Sequence, residues 1–326
     1  MALTRSRFLS CLLAGAAVLT APAAFAQEDF PSHTLKLVVP FAPGGATDIL
    51  GRQLAAAFIE KLGQTMIVEN RPGAGTVVGA GLVAKAPADG YTLLLAANTT
   101  LTLNPVIRES LPYDPLKFSP IGQVADMGLL LVANNDVPAR TLADFVALAK
   151  ASPDKYSYGS FGVGASVHFG GEMLKTATGI RLLHVPFNGS TPNLTALMGG
   201  QVQVAVDTVV AATPLIKGGK IKPLAALGAQ RLKLLPEVPT VAESGYPGFD
   251  MSSWFGLVGP ADMPAAVRQK LEKTLARIMA DPAMRQKLTE VGLTPNWGDG
   301  AALQARIERE LPQMRAVAAR ANIHTE

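Results

Sequence analysis

The chain is expected to fold as an α/β protein of two lobes, with mainly parallel sheets and a ligand cleft between them. Three observations carry that expectation. Short apolar strands alternate with amphipathic helices from Leu35 to Ala97, a second complete strand–helix set follows from Leu129, and the tail from Pro264 returns to helical spacing.

The elements are read in order. Leu35-Lys36-Leu37-Val38-Val39 is a strand, and Phe41 to Gly45 is a turn. Ala46 to Leu62 is a helix with Ile49, Leu50, Leu54, Phe58 and Leu62 on one face. Met66 to Glu69 is a second strand, Thr76 to Ala86 a helix, and Thr92 to Ala97 a third strand. This β-α-β-α-β order calls for a parallel sheet with right-handed crossovers. In the second set Leu129 to Ala133, Tyr156 to Tyr158, Leu182 to Pro186 and Val202 to Val206 are strands. Helices run from Thr141, which has Asp144 three residues on, from Val167, ended by Gly179, and from Pro192, ended by Gly199. The tail reads as helices: Pro264 to Ala280, a restart at Asp281-Pro282, and Leu303 to Ala321 with a kink at Pro312.

The start of the chain reads as an export signal. Arg5 and Arg7 precede an apolar run from Phe8 to Leu19, and Ala24-Phe25-Ala26 is a small-x-small cleavage site. The run is shorter than the roughly 20 residues a membrane span needs. Residues 1–26 are therefore expected to be removed, leaving a periplasmic protein. Cys11, the single cysteine, falls in that leader, and Gln27 stands where a lipid-anchoring cysteine would be. Disulfides, thiolate catalysis and cysteine metal sites are thus excluded from the expected mature chain. The net charge is +4, from 29 basic and 25 acidic residues, and two of the basic residues lie in the leader. The remainder is close to balanced and has no basic stripe, which argues against a nucleic-acid partner.

The candidate site residues sit where strands end. In an open parallel sheet, ligands bind beyond the carboxyl ends of the strands. Pro40-Phe41-Ala42-Pro43-Gly44-Gly45 leaves the first strand and opens the first helix. The free N–H groups there, the positive helix end and two glycines suit a carboxylate or phosphate; a strand-to-helix turn also needs glycine for structural reasons alone. Asn98-Thr99-Thr100 ends the third strand at the same edge, as ligand donors or as helix caps. Gly159 to His168 repeats the strand–turn–helix arrangement in the second lobe; Ser166 suits an N-cap or a ligand bond, and His168 is ambiguous. Phe187-Asn188-Gly189-Ser190 and Asp207 again follow strands, and Asp207 would bind a ligand amine or hydroxyl, or cap a helix.

Enzyme signatures are missing. There is no H-E-x-x-H, Gly-x-Ser-x-Gly or phosphate-binding loop. Ser152-Pro153-Asp154-Lys155 matches Ser-x-x-Lys in a polar turn, where chance explains it. Gly73, Gly75 and Gly79 narrowly miss a dinucleotide fingerprint. His33, His168, His184 and His324 lack metal-ligand spacing, and His184 reads as a buried strand residue.

Several strings resemble the Bug proteins, the TctC-type receptors of tripartite tricarboxylate transporters. They are Lys36 to Gly45 with Asp48 and Arg52, Glu69-Asn70-Arg71-Pro72-Gly73-Ala74-Gly75, and Ala88-Asp89-Gly90-Tyr91-Thr92-Leu93-Leu94. Pro186-Phe187-Asn188-Gly189, Gly199-Gly200-Gln201-Val202, Leu235 to Gly245, Trp254-Phe255-Gly256-Leu257 and Gly259-Pro260 extend the match from about Phe30 onward. The resemblance implies a type II periplasmic-binding-protein fold, with no catalysis and no cofactor or metal. It implies lobe 1 from residues 27–125 and 226–326, and lobe 2 from residues 126–225. It also implies a monomer that captures a small carboxylate and hands it to membrane transporter subunits. A sensor signalling to a membrane kinase is the alternative, and an exported enzyme a weaker one. Carried over, the ligand-binding residues are Phe41, Ala42, Gly44, Gly45, Asp48, Thr99, Gly164, Ala165, Ser166, His168 and Asp207. Phe187 and Asn188 join them as a departure, because the family commonly has Tyr-Lys-Gly where this chain has Phe187-Asn188-Gly189.

Overall fold

The computed structural model describes residues 30–324; the leader read at residues 1–26, with Cys11, lies outside them. Two sheets organise the chain. In the first, β1 (Leu35–Val39) pairs in parallel with β2 (Met66–Asn70) and β3 (Thr92–Ala97). It is completed by β4 (Ser119–Met127), β10 (Ser253–Gly259) and β11 (Leu293–Asp299), in the order β11-β4-β10-β3-β1-β2. The second sheet has the order β7-β6-β8-β5-β9, from β5 (Leu129–Asn134), β6 (Ser157–Ser160), β7 (Leu183–Pro186), β8 (Val204–Thr208) and β9 (Ile221–Ala226).

The two-lobed α/β architecture is as expected, but the strand directions are more mixed than "mainly parallel". β10 runs antiparallel to both β3 and β4, β11 antiparallel to β4, and β5 antiparallel to both β8 and β9. Apart from β11, which the tail adds at the edge, these strands lie where the chain passes between sheets. β4 leads directly into β5, and the stretch after β9 leads back to β10. A chain that returns into an existing sheet enters from whichever end it reaches, without a βαβ crossover to keep it parallel.

Helices follow the parallel strands. α1 (Ala46–Leu62) buries Leu50, Leu54 and Phe58 and ends at Gly63, whose φ of 70° places it in the left-handed region. α2 (Val77–Ala84) follows a single 3-10 turn at Ala74–Thr76, and α3 (Asn104–Ile107) follows a π-helical turn at Thr99–Leu103. α4 (Leu142–Ala151) has the expected capping box, with Thr141 and Asp144 reciprocally bonded. α5 (Ser166–Thr178), α6 (Ser190–Met198) and α7 (Val209–Lys217) cover the second sheet. The tail comprises α8 (Ala265–Ala280), α9 (Pro282–Glu290) and α10 (Gly300–Ala321), which continues through Pro312.

The tail is not wholly helical, because β11 intervenes between α9 and α10. Its sequence, with Pro295, Asn296 and Gly298, is a poor strand, and it survives as an edge strand where proline costs little. α10 straps the lobes together. Its first half buries Leu303 and Ile307 against Trp254, while Ala318 near its end joins the apolar cluster of Phe145, Val167 and Phe169. Arg306 bridges Asp126 and Glu310 at 2.8 Å each, and Glu310 accepts the Trp254 indole N–H at 2.7 Å.

Candidate functional site

The parallel strands β1, β2 and β3 point their carboxyl ends one way, and β6, β7 and β8 do the same in the second sheet. The turns on these two edges meet. A methyl group placed on Gly75, beyond β2, would lie 3.8 Å from the Val163 carbonyl oxygen, beyond β6. One placed on Gly164 would lie 2.3 Å from Cδ1 of Ile107 and 3.8 Å from Oδ1 of Asn104, both beyond β3. The two edges therefore face each other across the boundary between the sheets.

Among the helices that start on these edges, α1 after Gly45, α5 after Ala165 and α6 after Gly189 have no side chain to cap them, as is also true of α2 and the short α3. By contrast α4, α7, α9 and α10 are capped by Thr141, Thr208, Asp281 and Asp299. The first N–H groups of a helix have no partner within it and carry the positive end of its dipole. Uncapped starts thus leave donors free for an external acceptor.

The first-lobe turn is exposed from Ala42 to Gly45, with Phe41 half-buried. Gly44 has a φ of 85°, which favours glycine, and donates its N–H to Asp48 Oδ2 at 3.0 Å. Arg52 Nε donates to the same oxygen at 3.0 Å, and Asn70 Nδ2 donates to Oδ1 at 2.9 Å and to the Phe41 carbonyl at 3.2 Å. Burial raises the Asp48 pKa, but the bonds from Arg52, Gly44 and Asn70 outweigh it and hold the carboxyl below its usual range. Both Asp48 oxygens are thus occupied inside the protein. Asp48 fastens the turn, gathering three donors from Gly44, Arg52 and Asn70.

Beside this turn, Thr99 is buried, and its N–H donates to Asn98 Oδ1 at 3.0 Å. The neighbouring Thr76 lies at a φ of 83°, where a β-branched residue is strained. Hydrogen bonds hold it there, from Thr100 Oγ1 at 2.9 Å and from Asn104 Nδ2 at 3.1 Å.

In the second lobe Gly164, Ala165, Ser166 and His168 are all buried. His168 Nδ1 accepts the Gly164 N–H at 3.1 Å, so its proton resides on Nε2, which lies 4.0 Å from Glu172 Oε1. Its ring stacks on His184 at 4.1 Å; His184 in turn stacks on Tyr158 at 4.8 Å and shares a hydrogen bond with Ser160 Oγ at 2.7 Å. Glu172 accepts from the Tyr158 hydroxyl at 2.6 Å and pairs with Lys175 at 2.7 Å. Burial pulls the His168 pKa down to about 4 and that of His184 down to about 3, Lys175 adding to the effect in both, so both rings are neutral near pH 7. His184, expected as a buried strand residue, is half-buried in β7. Its partnership with His168 depends on the β6–β7 register, which sets Tyr158 opposite His184.

Phe187 is half-buried and Asn188 exposed, and the Phe187 N–H donates to the Ser160 carbonyl at 2.8 Å. Asp207 is fully buried. It accepts from Ser190 Oγ, from Asn193 Nδ2 at 2.8 Å and from the Thr208 N–H at 2.7 Å. Burial raises its pKa, and those donors offset the rise in part. Asp207 caps no helix, since its bonds to α6 run to the Ser190 and Asn193 side chains and not to backbone N–H groups; it ties the end of β8 to the first turn of α6. A separate groove of ≈ 410 Å³ lies at the opposite end of α5, lined by Met173, Tyr246, Val317 and Arg320, away from all these turns.

Comparison with known proteins agrees with this geometry. Residues 50–323 match the tripartite tricarboxylate transporter family receptor family, TctC. A Rhodopseudomonas palustris protein, Rpa4515, solved with adipate, superposes with a TM-score of 0.86 at 35% identity, covering 91% of this chain and 99% of that one. The periplasmic binding protein BugD superposes at 0.83 with 34% identity, covering 91% and 100% of the two chains. MatC from Rhodopseudomonas palustris with bound malate superposes at 0.81 with 31% identity, covering 88% and 99%. The matched family is one of transporter receptors. With its strand order, facing edges and match over most of its length, the chain belongs to the TctC family of tripartite tricarboxylate transporter receptors.

Proposed function

We propose that this protein captures a small carboxylate between its lobes and delivers it to a tripartite tricarboxylate-type transporter from the periplasm. The observation that carries this is the exposed, pre-built turn Phe41–Gly45 at the uncapped start of α1. Its donors are backbone N–H groups, already oriented and cheap to desolvate compared with a buried ammonium ion. The lobe boundaries expected at 125/126 and 225/226 move to the ends of β4 and β9, so that Met127 closes the first stretch of lobe 1 and Ala226 closes lobe 2. Phe41, Ala42 and Gly45 meet the ligand from the first lobe, with Thr99 beside them. Ala165 and Ser166 meet it from the second, with Phe187 and Asn188 at the ligand's far end. Asp48, His168 and Asp207 act behind these residues by fixing the turns. Relatives solved with adipate and malate, both dicarboxylates, support a carboxylate ligand.

A thermal-shift screen of the mature protein against adipate, malate and their diamides tests this. Binding to the folded state adds about 2.7 kcal/mol at a hundredfold excess over Kd. The expected result is a rise in Tm with an acid that disappears with its amide. A rise with sugars, cations or peptides and with no carboxylate would overturn the reading.

A further inference from the structure

The lobes meet at a contact too close to be incidental. Gly164, in the turn before α5, has a φ of 77° and packs so tightly on α3 that a methyl group there would sit 2.3 Å from Ile107 Cδ1 and 3.7 Å from Ile107 Cγ1. A carbon contact that short cannot persist, so an added methyl group must either turn the end of the Ile107 side chain aside or part the two surfaces, and Ile107 is itself 4% exposed and packed in an apolar cluster that resists such a turn. α3 is poorly placed to yield. Asn104 is fully buried, donates to the Gly75 carbonyl at 2.6 Å and to Thr76 Oγ1 at 3.1 Å, and accepts from Arg108 Nε at 3.3 Å. Arg108 Nη2 also donates to the Ala74 carbonyl at 3.0 Å. Ile107 follows β3 of the first sheet, yet it packs in the same apolar cluster as Ala165, Val167 and Phe169 of the second lobe. A rigid first-lobe seat is thus pressed against the turn that carries the uncapped start of α5.

We propose that Ile107, fixed by the Asn104 network, is the stop on which Gly164 seats, and that this pair sets the angle between the lobes and through it the ligand affinity. Ala165 and Ser166 ride on the same turn as Gly164, so a shift of the seat moves their N–H groups relative to Phe41–Gly45. The affinity part rests on the carboxylate reading of the cleft. The angle does not, because it is read in the empty protein.

The test uses spin labels on cysteines placed at Ile59 and Met198, which are 40% and 39% exposed, one in each lobe. Gly164→Ala is expected to lengthen the inter-label distance and to weaken adipate binding at least tenfold. Alanine at this φ is also strained in its own right, which alone would destabilise without changing the angle. Ile107→Val separates the two causes, since it removes Cδ1 and nothing else. The double variant is expected to regain the wild-type distance and most of the affinity. Ile107→Phe, pushing from the other side with the glycine intact, should also lengthen the distance. An unchanged distance in Gly164→Ala, or no recovery in the double variant, overturns the proposal. If the distances respond as expected while neither adipate nor malate binds the wild type, the stop stands and the carboxylate reading fails.

Discussion

The two cleft edges hold their turns by opposite electrostatic means. In the first lobe the turn is exposed and is fastened by a charged residue, Asp48, which gathers Gly44, Arg52 and Asn70. In the second lobe the turn is buried and is fastened by a neutral one, His168, which accepts the Gly164 N–H. Beneath that edge Asp207 has only uncharged donors around it, while Glu172, 4.0 Å from His168, is paired with Lys175 farther along α5. The difference follows from water. The Arg52 side chain is 57% exposed, so its charge stays solvated while it helps to neutralise Asp48. At the second edge a cation would have to be desolvated, and neutral imidazole avoids that cost. Lobe 1 can therefore offer a preformed turn to solvent, whereas lobe 2 hides its turn against α3.

The largest effect expected from this contrast is at Asp207. Asp207→Ala removes the acceptor of the buried Thr208 N–H and of the half-buried Ser190 hydroxyl, and leaves Asn193 Nδ2 only the Val206 carbonyl at 3.3 Å; each unsatisfied buried donor is worth ~1–3 kcal/mol. The expected loss is about 3 kcal/mol in urea unfolding. Asp207→Asn should cost far less, because burial already disfavours the charge and an amide oxygen can still accept from Thr208. The pH dependence has a definite sign. A carboxyl whose folded pKa is raised binds its proton more readily in the folded state, so it adds stability as pH falls through that raised value. Asp207→Asn should abolish this gain. Equal losses for the alanine and asparagine variants would show that the charge itself matters there.

How much of this was legible in the sequence depended on whether the cause was local. α1 could be bounded to the residue, since Leu50, Leu54 and Phe58 mark its face and Gly63 its end. The capping box at Thr141 and Asp144 was equally readable. β4 and β11 were not, because Pro120, Gly122, Pro295 and Gly298 break any alternating pattern, and the strands persist by pairing with each other and with β10. In the site, the glycine turns were visible as turns. The roles of Asp48 and Asp207 were not, since a side chain that serves the backbone and one that serves a ligand have the same letter. Asn104 and His184 acquire partners only through register and lobe contact, which no local window contains.

The histidine pair sharpens the comparison further. Folded His168 titrates at about 4, against 6.5 for a free histidine. Below pH 6.5 the unfolded chain takes up a proton that the folded ring does not, so stability is lost as pH falls and the loss is complete once the folded pKa is passed. For His168 this amounts to about 2–3 kcal/mol. The groups facing the pair are Glu172, Lys175 and Tyr158, so the loss belongs to lobe 2. His168→Gln keeps an acceptor for Gly164 and removes the titration. Unfolding measured at pH 7 and at pH 4.5 should show a smaller drop for this variant, and an identical drop would refute the assignment.

The smallest expected effect tests what holds the exposed turn. Asp48 has a folded pKa below the usual carboxylate value, so its contribution is fully present above about pH 4 and is lost as pH falls through the lower folded value. Stability should therefore show no slope from Asp48 between pH 5 and pH 8. Asp48→Asn leaves one oxygen to serve donors that now use two, and it turns an amide N–H₂ toward either Arg52 or Asn70. A loss of about 1–2 kcal/mol is expected, together with weaker binding of the adipate probe, as the Gly44 turn loosens. Arg52→Ala removes only a solvated partner and should cost less than about 1 kcal/mol. The two variants discriminate between causes. If the turn is built by Gly44 and Asn70 converging on Asp48, the asparagine variant must be clearly the worse. Equal losses would mean that the ion pair does the holding, and the two edges would then differ less in kind than their burial suggests.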